Sequence, residues 1–234
     1  MMFADVHSHI LFGIDDGARS IGETRHILQG LHQSGVTHLA FTPHYYPYKD
    51  SIDSFVEKRE KAFQAVLALA EAEKFVFSLG SEVYLGETLL NNATLSPLCY
   101  RGTRYMLTEL EYSDYFTDAT KYRLLRLIED FGVTPVLAHI HRYPFLWKDP
   151  KLLEQLKKMG CCFQINLSVL QGFFSRLRAV RLYELGFVDF LGEDAHRSCL
   201  SFEEKEKLFA RVERSHKGFS EKMSQNARSR LFIS

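Results

Sequence analysis

The sequence predicts an α/β fold in which parallel strands alternate with helices and close into a barrel. Three observations predict it. First, a glycine separates the end of a helical pattern from an apolar, β-rich run at Gly35-Val36-Thr37-His38-Leu39-Ala40-Phe41, Gly132-Val133-Thr134-Pro135-Val136-Leu137-Ala138, Gly160-Cys161-Cys162-Phe163-Gln164-Ile165-Asn166 and Gly186-Phe187-Val188-Asp189-Phe190-Leu191. Glycine just past a helix supplies the left-handed turn back into a strand, and continuously apolar runs suit strands buried on both faces. Second, seven candidate strands lie near residues 3–8, 37–42, 75–82, 104–109, 134–138, 162–166 and 188–192, with helical patterns between most of them. That alternation alone fits an open doubly wound sheet as well as a barrel. Third, metal-competent side chains stand where each predicted strand but the sixth finishes. In a barrel all these carboxyl ends meet on one face, whereas an open sheet spreads them along a line.

The elements follow in order. The first strand, Ala4-Asp5-Val6-His7-Ser8-His9, carries two histidines one residue apart. Side chains alternate along a strand, so His7 and His9 point to the same side and can grip one cation. Gly13-Ile14-Asp15-Asp16-Gly17 permits a tight loop able to bring a carboxylate back over that cation. Ser20 with Glu23 has capping-box spacing and opens the first helix. The second strand ends at His44, beyond which lie Tyr45, Tyr46 and Tyr48. Phe55, Val56, Phe63, Val66, Leu67 and Ala70 form one helical stripe that faces the core. The third strand ends at Glu82 and the fourth at Glu109, and Leu124, Leu127, Ile128 and Phe131 form the next stripe. His139 follows the fifth strand, and Asp149-Pro150 starts a helix with a capping acid before a proline. Asn166 closes the sixth strand with no role assigned, and Asp194 and His196 follow the seventh. Ser201 with Glu204 caps a last helix, whose charged stretch 203–216 reads as a solvated face. His26, His32, His38 and His216 lie outside this constellation and read as solvated or packing residues.

The 234 residues suit one domain, 1–234, and the 29 basic and 29 acidic side chains cancel. No overall field recruits nucleic acid or an anionic membrane, so neither is expected as a partner. The chain enters its first strand within a few residues and no apolar run reaches membrane-spanning length, which predicts a cytoplasmic protein without membrane insertion. Cys99, Cys161, Cys162 and Cys199 form no spaced disulfide framework and read as reduced packing thiols. None is followed by arginine at the spacing of a cysteine-phosphatase loop, so any phosphate chemistry must come from metals.

The strand-end set comprises His7, His9, His44, His139, His196, Asp16, Asp194, Glu82 and Glu109. Nine donors are too many for one ion. At about three or four per open site they serve two ions and plausibly three, with carboxylates able to bridge. A nitrogen and oxygen set without thiolates suits manganese, iron or zinc and does not choose among them.

The strings DVHSHILFGIDDGA, FTPH, GSEVYL, LTELEY, LAHIHRY and GEDAH, in this order from residue 5 to about residue 196, resemble the polymerase-and-histidinol-phosphatase (PHP) superfamily. More narrowly they resemble its branch of manganese-dependent bacterial protein-tyrosine phosphatases linked to capsule and exopolysaccharide synthesis. The resemblance implies a distorted TIM-like (βα)7 barrel with three divalent ions, most simply manganese. It implies that His7, His9, Glu82 and Asp194 hold the first ion, that Glu82 bridges to a second held with Glu109 and His139, and that Asp16, His44 and His196 hold the third. Arg142 in HIHRY matches an arginine that contacts the substrate phosphate. The chain departs from the pattern at His141, where an acid is usual, which alters the charge around the ligands.

The implied activity is hydrolysis of phosphotyrosine on a protein, with a tyrosine autokinase of polysaccharide export as the implied partner. Three divalent ions against four carboxylates leave about two positive charges to meet a phosphate dianion. A phenolate leaves with a pKa near 10, so an aryl phosphate demands little of a general acid. A small-molecule phosphatase acting on histidinol phosphate, or another PHP phosphoesterase, is the alternative, and the Gly13–Gly17 segment argues against it. A non-catalytic barrel is expected to have lost several of these donors, and none is missing.

Overall fold

The computed structural model describes residues 3–233. In chain order its elements are β1 (Phe3–Asp5), α1 (Ile21–Gln33), β2 (Val36–Phe41), β3 (His44–Tyr45), α2 (Ile52–Ala72), β4 (Val76–Leu79), β5 (Glu82–Tyr84), β6 (Tyr105–Glu109), α3 (Asp118–Glu129), β7 (Thr134–Leu137), α4 (Pro144–Lys148), α5 (Pro150–Met159), β8 (Cys162–Asn166), α6 (Phe173–Glu184), β9 (Phe190–Gly192), α7 (Phe202–Glu213) and α8 (Phe219–Leu231).

Every strand pairing is parallel. One ladder runs β1-β2-β4 and the other β3-β5-β6-β7-β8-β9. The two join because β2 and β3 are successive parts of one strand, as are β4 and β5. Pro43 has no N–H to give the ladder, and the neighbouring strand breaks beside it at Gly80-Ser81. Across the break Gly80 N donates to Phe41 O at 2.8 Å and Glu82 N to Pro43 O at 3.0 Å, so the strands stay aligned. From α2 the buried Arg59 guanidinium donates to Gly80 O at 3.0 Å and Ser81 Oγ at 2.8 Å, fixing the chain just before Glu82. The seven predicted strands are thus the seven observed ones, with two of them interrupted.

The first strand is shorter than predicted because the chain changes neighbours after Asp5. Val6 N donates to Leu191 O at 3.4 Å, Ser8 bridges Ala195 in parallel, and His9 N donates to Ala195 O at 2.8 Å. These bonds close the circuit from β9 back to β1, and the (βα)7 barrel is the result.

Alternate residues divide between two clusters, as a sheet covered on both faces requires. Phe3, Leu39, Phe41, Leu79, Met106, Leu137, Phe163, Ile165 and Leu191 pack beneath the helices. Ala4, Val6, Ala40, Leu107, Val136, Ala138, Cys162 and Phe190 meet one another with Tyr100 and with Ala227 and Leu231 of α8. Tyr100 donates its hydroxyl to Val6 O at 2.8 Å, so its buried polar tip is satisfied.

The punctuation holds. Gly35, Gly132, Gly160 and Gly186 all have positive φ, at 85°, 62°, 105° and 77°. Ser201 and Glu204 form a complete capping box, and Asp149 accepts from the N–H groups of Lys151 and Leu152. Ser20 accepts from Glu23 N, but Glu23 reaches back to Arg19 N at 2.7 Å instead of the cap residue, so only half of that box forms. The stripe residues Phe55, Phe63, Val66, Ala70, Leu124 and Leu127 are buried, and Val56, Leu67, Ile128 and Phe131 pack partly buried against them. All four cysteines carry free thiols. Among the described residues no helix is long and apolar enough to cross a membrane.

Candidate metal centre

All nine predicted donors meet at the carboxyl ends of the strands. Glu82, buried at the start of β5, is the hub. Its Oε2 lies 3.1 Å from His7 Nε2, 3.1 Å from His9 Nε2 and 3.1 Å from His44 Nδ1, while Oε1 lies 2.9 Å from His139 Nε2. His139 Nε2 is also 3.6 Å from Glu109 Oε1. His7 and His9 turn their Nε2 atoms to within 3.0 Å of each other, the same-side geometry expected of alternate positions. Asp194 Oδ1 stands 3.5 Å from His7 Nε2 and 3.3 Å from His9 Nε2. At the solvent side, Asp16 Oδ1 lies 3.8 Å from His44 Nε2 and 3.4 Å from His196 Nε2.

Ligand atoms within 4.8 Å of one another form three groups: His9, Asp16, His44 and His196; His7, His9 and Asp194; His44, Glu82 and Glu109. Every member offers imidazole nitrogen or carboxylate oxygen, so this donor set fits divalent manganese, iron or zinc.

Backbone strain accompanies the site. His139 and Asp194 adopt left-handed conformations with φ of 33° and 56°, an uncommon state for residues with a Cβ. Gly17 and Gly192 allow close approach instead. A Cβ at Gly17 meets His9 O at 1.7 Å, and one at Gly192 meets His7 Cβ at 2.6 Å and Gln164 Nε2 at 2.8 Å.

The electrostatics show a centre that demands positive charge. Burial opposes ionisation of Glu82, yet His7 and His139 outweigh it and hold the carboxyl well below its ordinary range. Burial likewise opposes ionisation of Asp194, which His7 and His9 pull far down. Burial disfavours charge on His7 and His9, but Glu82 and Asp194 around His7, and Asp15, Asp194 and Glu82 around His9, raise both. Burial brings His44 down to about 4. Glu109 is pushed up to about 7 by burial and by the Glu82 charge.

A surrounding layer holds these groups, and much of it is not evident from the sequence. Asp15 Oδ2 accepts from His9 Nδ1 at 2.7 Å and from His44 N at 2.9 Å, and Oδ1 accepts from Gly17 N at 3.0 Å. Burial opposes its charge, and the His9 hydrogen bond prevails, holding Asp15 at about 2. The two adjacent aspartates therefore divide the work, with Asp15 turned inward and Asp16 outward. Gln164 accepts from His139 N at 2.6 Å and donates to Asn166 Oδ1 at 2.9 Å, and Asn166 Nδ2 donates to Asp194 Oδ2 at 2.8 Å. Arg142 donates to the same Asp194 Oδ2 at 2.7 Å. Glu111 lies 3.9 Å from Arg123. His141 is partly buried, faces Trp147 and Arg178 across a small cavity, and is brought down to about 3 by burial and by His139 and Arg142. Tyr46 stacks on His44 with ring centres 5.2 Å apart. His26, His32, His38 and His216 all lie away from the centre; His32 approaches Glu73 at 4.0 Å and His216 meets Glu184 at 3.1 Å.

Fold and site together define a parallel α/β barrel with a buried, multi-ligand histidine–carboxylate centre at its carboxyl face. The chain belongs to the CpsB/CapC family of capsular polysaccharide synthesis, whose sequence pattern matches residues 3–233. The tyrosine-protein phosphatase CpsB of Streptococcus pneumoniae is 32% identical over 169 residues, 69% of this chain and 66% of that protein. The tyrosine-protein phosphatase YwqE of Bacillus subtilis is 29% identical over 215 residues, 88% of this chain and 82% of that protein. A crystal structure from work on YwqE and on S. pneumoniae CpsB, described as unique metal-dependent tyrosine phosphatases, has the same fold. It superposes with a TM-score of 0.77 at 21% identity, covering 98% of this chain and 94% of that one.

Proposed function

We propose that this chain is a metal-dependent protein-tyrosine phosphatase, a phosphoric monoester hydrolase acting on phosphotyrosine in a protein. The observation that carries the reading is Glu82, one buried carboxylate ringed at 2.9–3.1 Å by nitrogens of His7, His9, His44 and His139. That arrangement suits a carboxylate bridging cations. The names of the curated relatives supply the substrate class.

In this reading His7, His9, Glu82 and Asp194 hold one divalent ion, Glu82, Glu109 and His139 a second, and Asp16, His44 and His196 a third. Manganese is the assigned metal, and the same donors accept iron or zinc. When bound, such cations supply Lewis-acid charge and lower the pKa of water toward neutrality. Asp194 keeps Oδ1 toward the centre because Arg142 and Asn166 occupy Oδ2. Arg142 donates to the phosphate oxygens, a planar fork matched to that geometry. No thiol competes as nucleophile: burial pushes Cys99 and Cys161 up to about 12 and Cys162 and Cys199 up to about 11. The phenolate leaving group needs little protonation.

The family's connection to capsular polysaccharide synthesis supports a tyrosine autokinase of polysaccharide export as the substrate protein, in the cytoplasm. Closure of the barrel between β1 and β9 supports residues 1–234 as one metallophosphatase domain.

The test compares turnover of a phosphotyrosine peptide and of histidinol phosphate by the manganese-reconstituted protein, with a chelated control. Preference for the peptide, lost on chelation, is expected. Preference for histidinol phosphate, or turnover unaffected by chelation, overturns the reading.

A further inference from the structure

Next to the candidate centre lies a cavity of about 630 Å³ whose wall runs from Asp16 and His44 out to Lys49, Asp50 and Lys58. Its volume falls in the range of sites that enclose an organic ligand, so it has room for more than a phosphate and one ring. Tyr45 and Phe55 supply apolar wall, and the charges sort themselves pairwise. Asp15 is taken by His9 at 2.7 Å, Asp50 by Lys58 at 2.5 Å, and Asp16 faces His196 at 3.4 Å.

Lys49 is the cation left over. Among the described residues no carboxylate lies within ion-pair distance of it, and its ammonium stands 4.1 Å from the ring centre of Tyr46 and 5.7 Å from that of Tyr48. Contact with an aromatic face holds an ammonium in place without neutralising it. Tyr46 in turn stacks on His44. The sequence imidazole, phenol, ammonium therefore leads from the candidate centre into the groove.

We propose that Lys49 forms a subsite for an acidic residue: the groove takes the peptide segment flanking a phosphotyrosine, and Lys49 pairs with an aspartate or glutamate carboxylate of that segment. The proposal rests on the tyrosine-phosphatase reading of the adjoining centre. It makes Lys49 a specificity-determining residue, acting on which phosphotyrosine is accepted and leaving the chemistry at phosphorus to the centre.

The experiment uses the manganese-loaded protein and matched phosphotyrosine peptides whose flanking residues are aspartate, alanine or lysine. Binding of the non-hydrolysable phosphonate versions is measured by calorimetry alongside kcat and KM for the phosphates. The wild type is expected to bind the aspartate-flanked peptide about fivefold more tightly than the alanine-flanked one, the scale of an exposed ion pair, with the difference in KM. Lys49→Ala abolishes that ratio, Lys49→Glu shifts it toward the lysine-flanked peptide, and Lys49→Arg retains it. Equal affinity of the wild type for aspartate and alanine flanks, or an unchanged ratio in Lys49→Ala, overturns the subsite while the phosphatase reading stands. Failure of the wild type to hydrolyse any of the three phosphopeptides overturns both.

Discussion

Asp15 Oδ2 lies 2.7 Å from His9 Nδ1 and thereby turns His9 Nε2 toward Glu82 and Asp194. A carboxylate behind a metal-ligating imidazole fixes its tautomer and raises its basicity. Asp15→Asn keeps the shape and removes the charge. Manganese affinity, measured by titration calorimetry, is expected to fall about 10–100-fold. Affinity within twofold of the wild type would refute a supporting role for Asp15.

Arg142 is bonded to Asp194 and stands at the open side of the centre, its side chain 41% exposed. Arg142→Ala is expected to lower kcat about 100-fold, the effect of removing one preorganised donor to developing charge, with metal content unchanged. Arg142→Lys recovers part of the loss, since it restores charge without the fork. Unchanged turnover in the alanine variant removes Arg142 from the phosphate site.

Charge in the chelated protein sets a pH dependence of stability. His7 and His9 are raised above 6.5 in the folded state, so the stability they contribute is complete below about 6.5 and is lost as pH rises through their folded values. Glu109, brought from 4.5 to about 7, has the same sign, with loss between those values. Asp15, lowered from 3.8 to about 2, works the other way, and its contribution is lost only as pH falls through that range. His44 and His141, brought down from 6.5 to about 4 and about 3, work against that loss as pH rises toward 6.5. The Tm of the chelated protein is therefore expected to decline between about pH 6.5 and 8, and manganese to raise it most at the upper end. A chelated Tm that climbs across this window contradicts the assignment.

Gly192 touches the centre through its lack of a side chain. Gly192→Ala forces a methyl against His7 Cβ and Gln164 Nε2. A loss of about 1–3 kcal/mol in unfolding free energy and weaker manganese binding are expected from denaturant melts and calorimetry. Wild-type values for both mean that the backbone yields there at little cost.

The strands were legible because buried parallel strands are largely apolar, and four of the seven, β2, β7, β8 and β9, follow a glycine that turns the chain. The nine candidate donors could be picked out because eight stand at or just beyond the end of a predicted strand and Asp16 lies in the loop after the first. Legibility failed where a role depends on orientation. Nothing in Ile14-Asp15-Asp16 distinguishes the aspartate that faces His9 from the one that faces solvent, because the loop's path decides it. Arg142 pairs with Asp194, 52 residues on, since the carboxyl ends of β7 and β9, with only β8 between them, converge on one face of the barrel. The breaks at Thr42-Pro43 and Gly80-Ser81 have one visible cause, the proline, and one hidden cause, the Arg59 clamp. Gln164 and Asn166 read as ordinary strand residues until the inner face is known.

The closure of β9 onto β1 has a consequence for the time at which the centre comes into being. Asp5 accepts from Glu193 N across 188 residues of chain, and His7 and His9 follow the first of the barrel strands to be synthesised. Asp194 and His196 leave it last among the nine donors. A nascent chain can display His7 and His9 throughout its synthesis, but the full set of donors is enclosed only when the barrel shuts. With the proposed ligand set, metal loading would be tied to completion of the fold, since a chain truncated before β9 lacks Asp194, His196 and the strand that closes the wall.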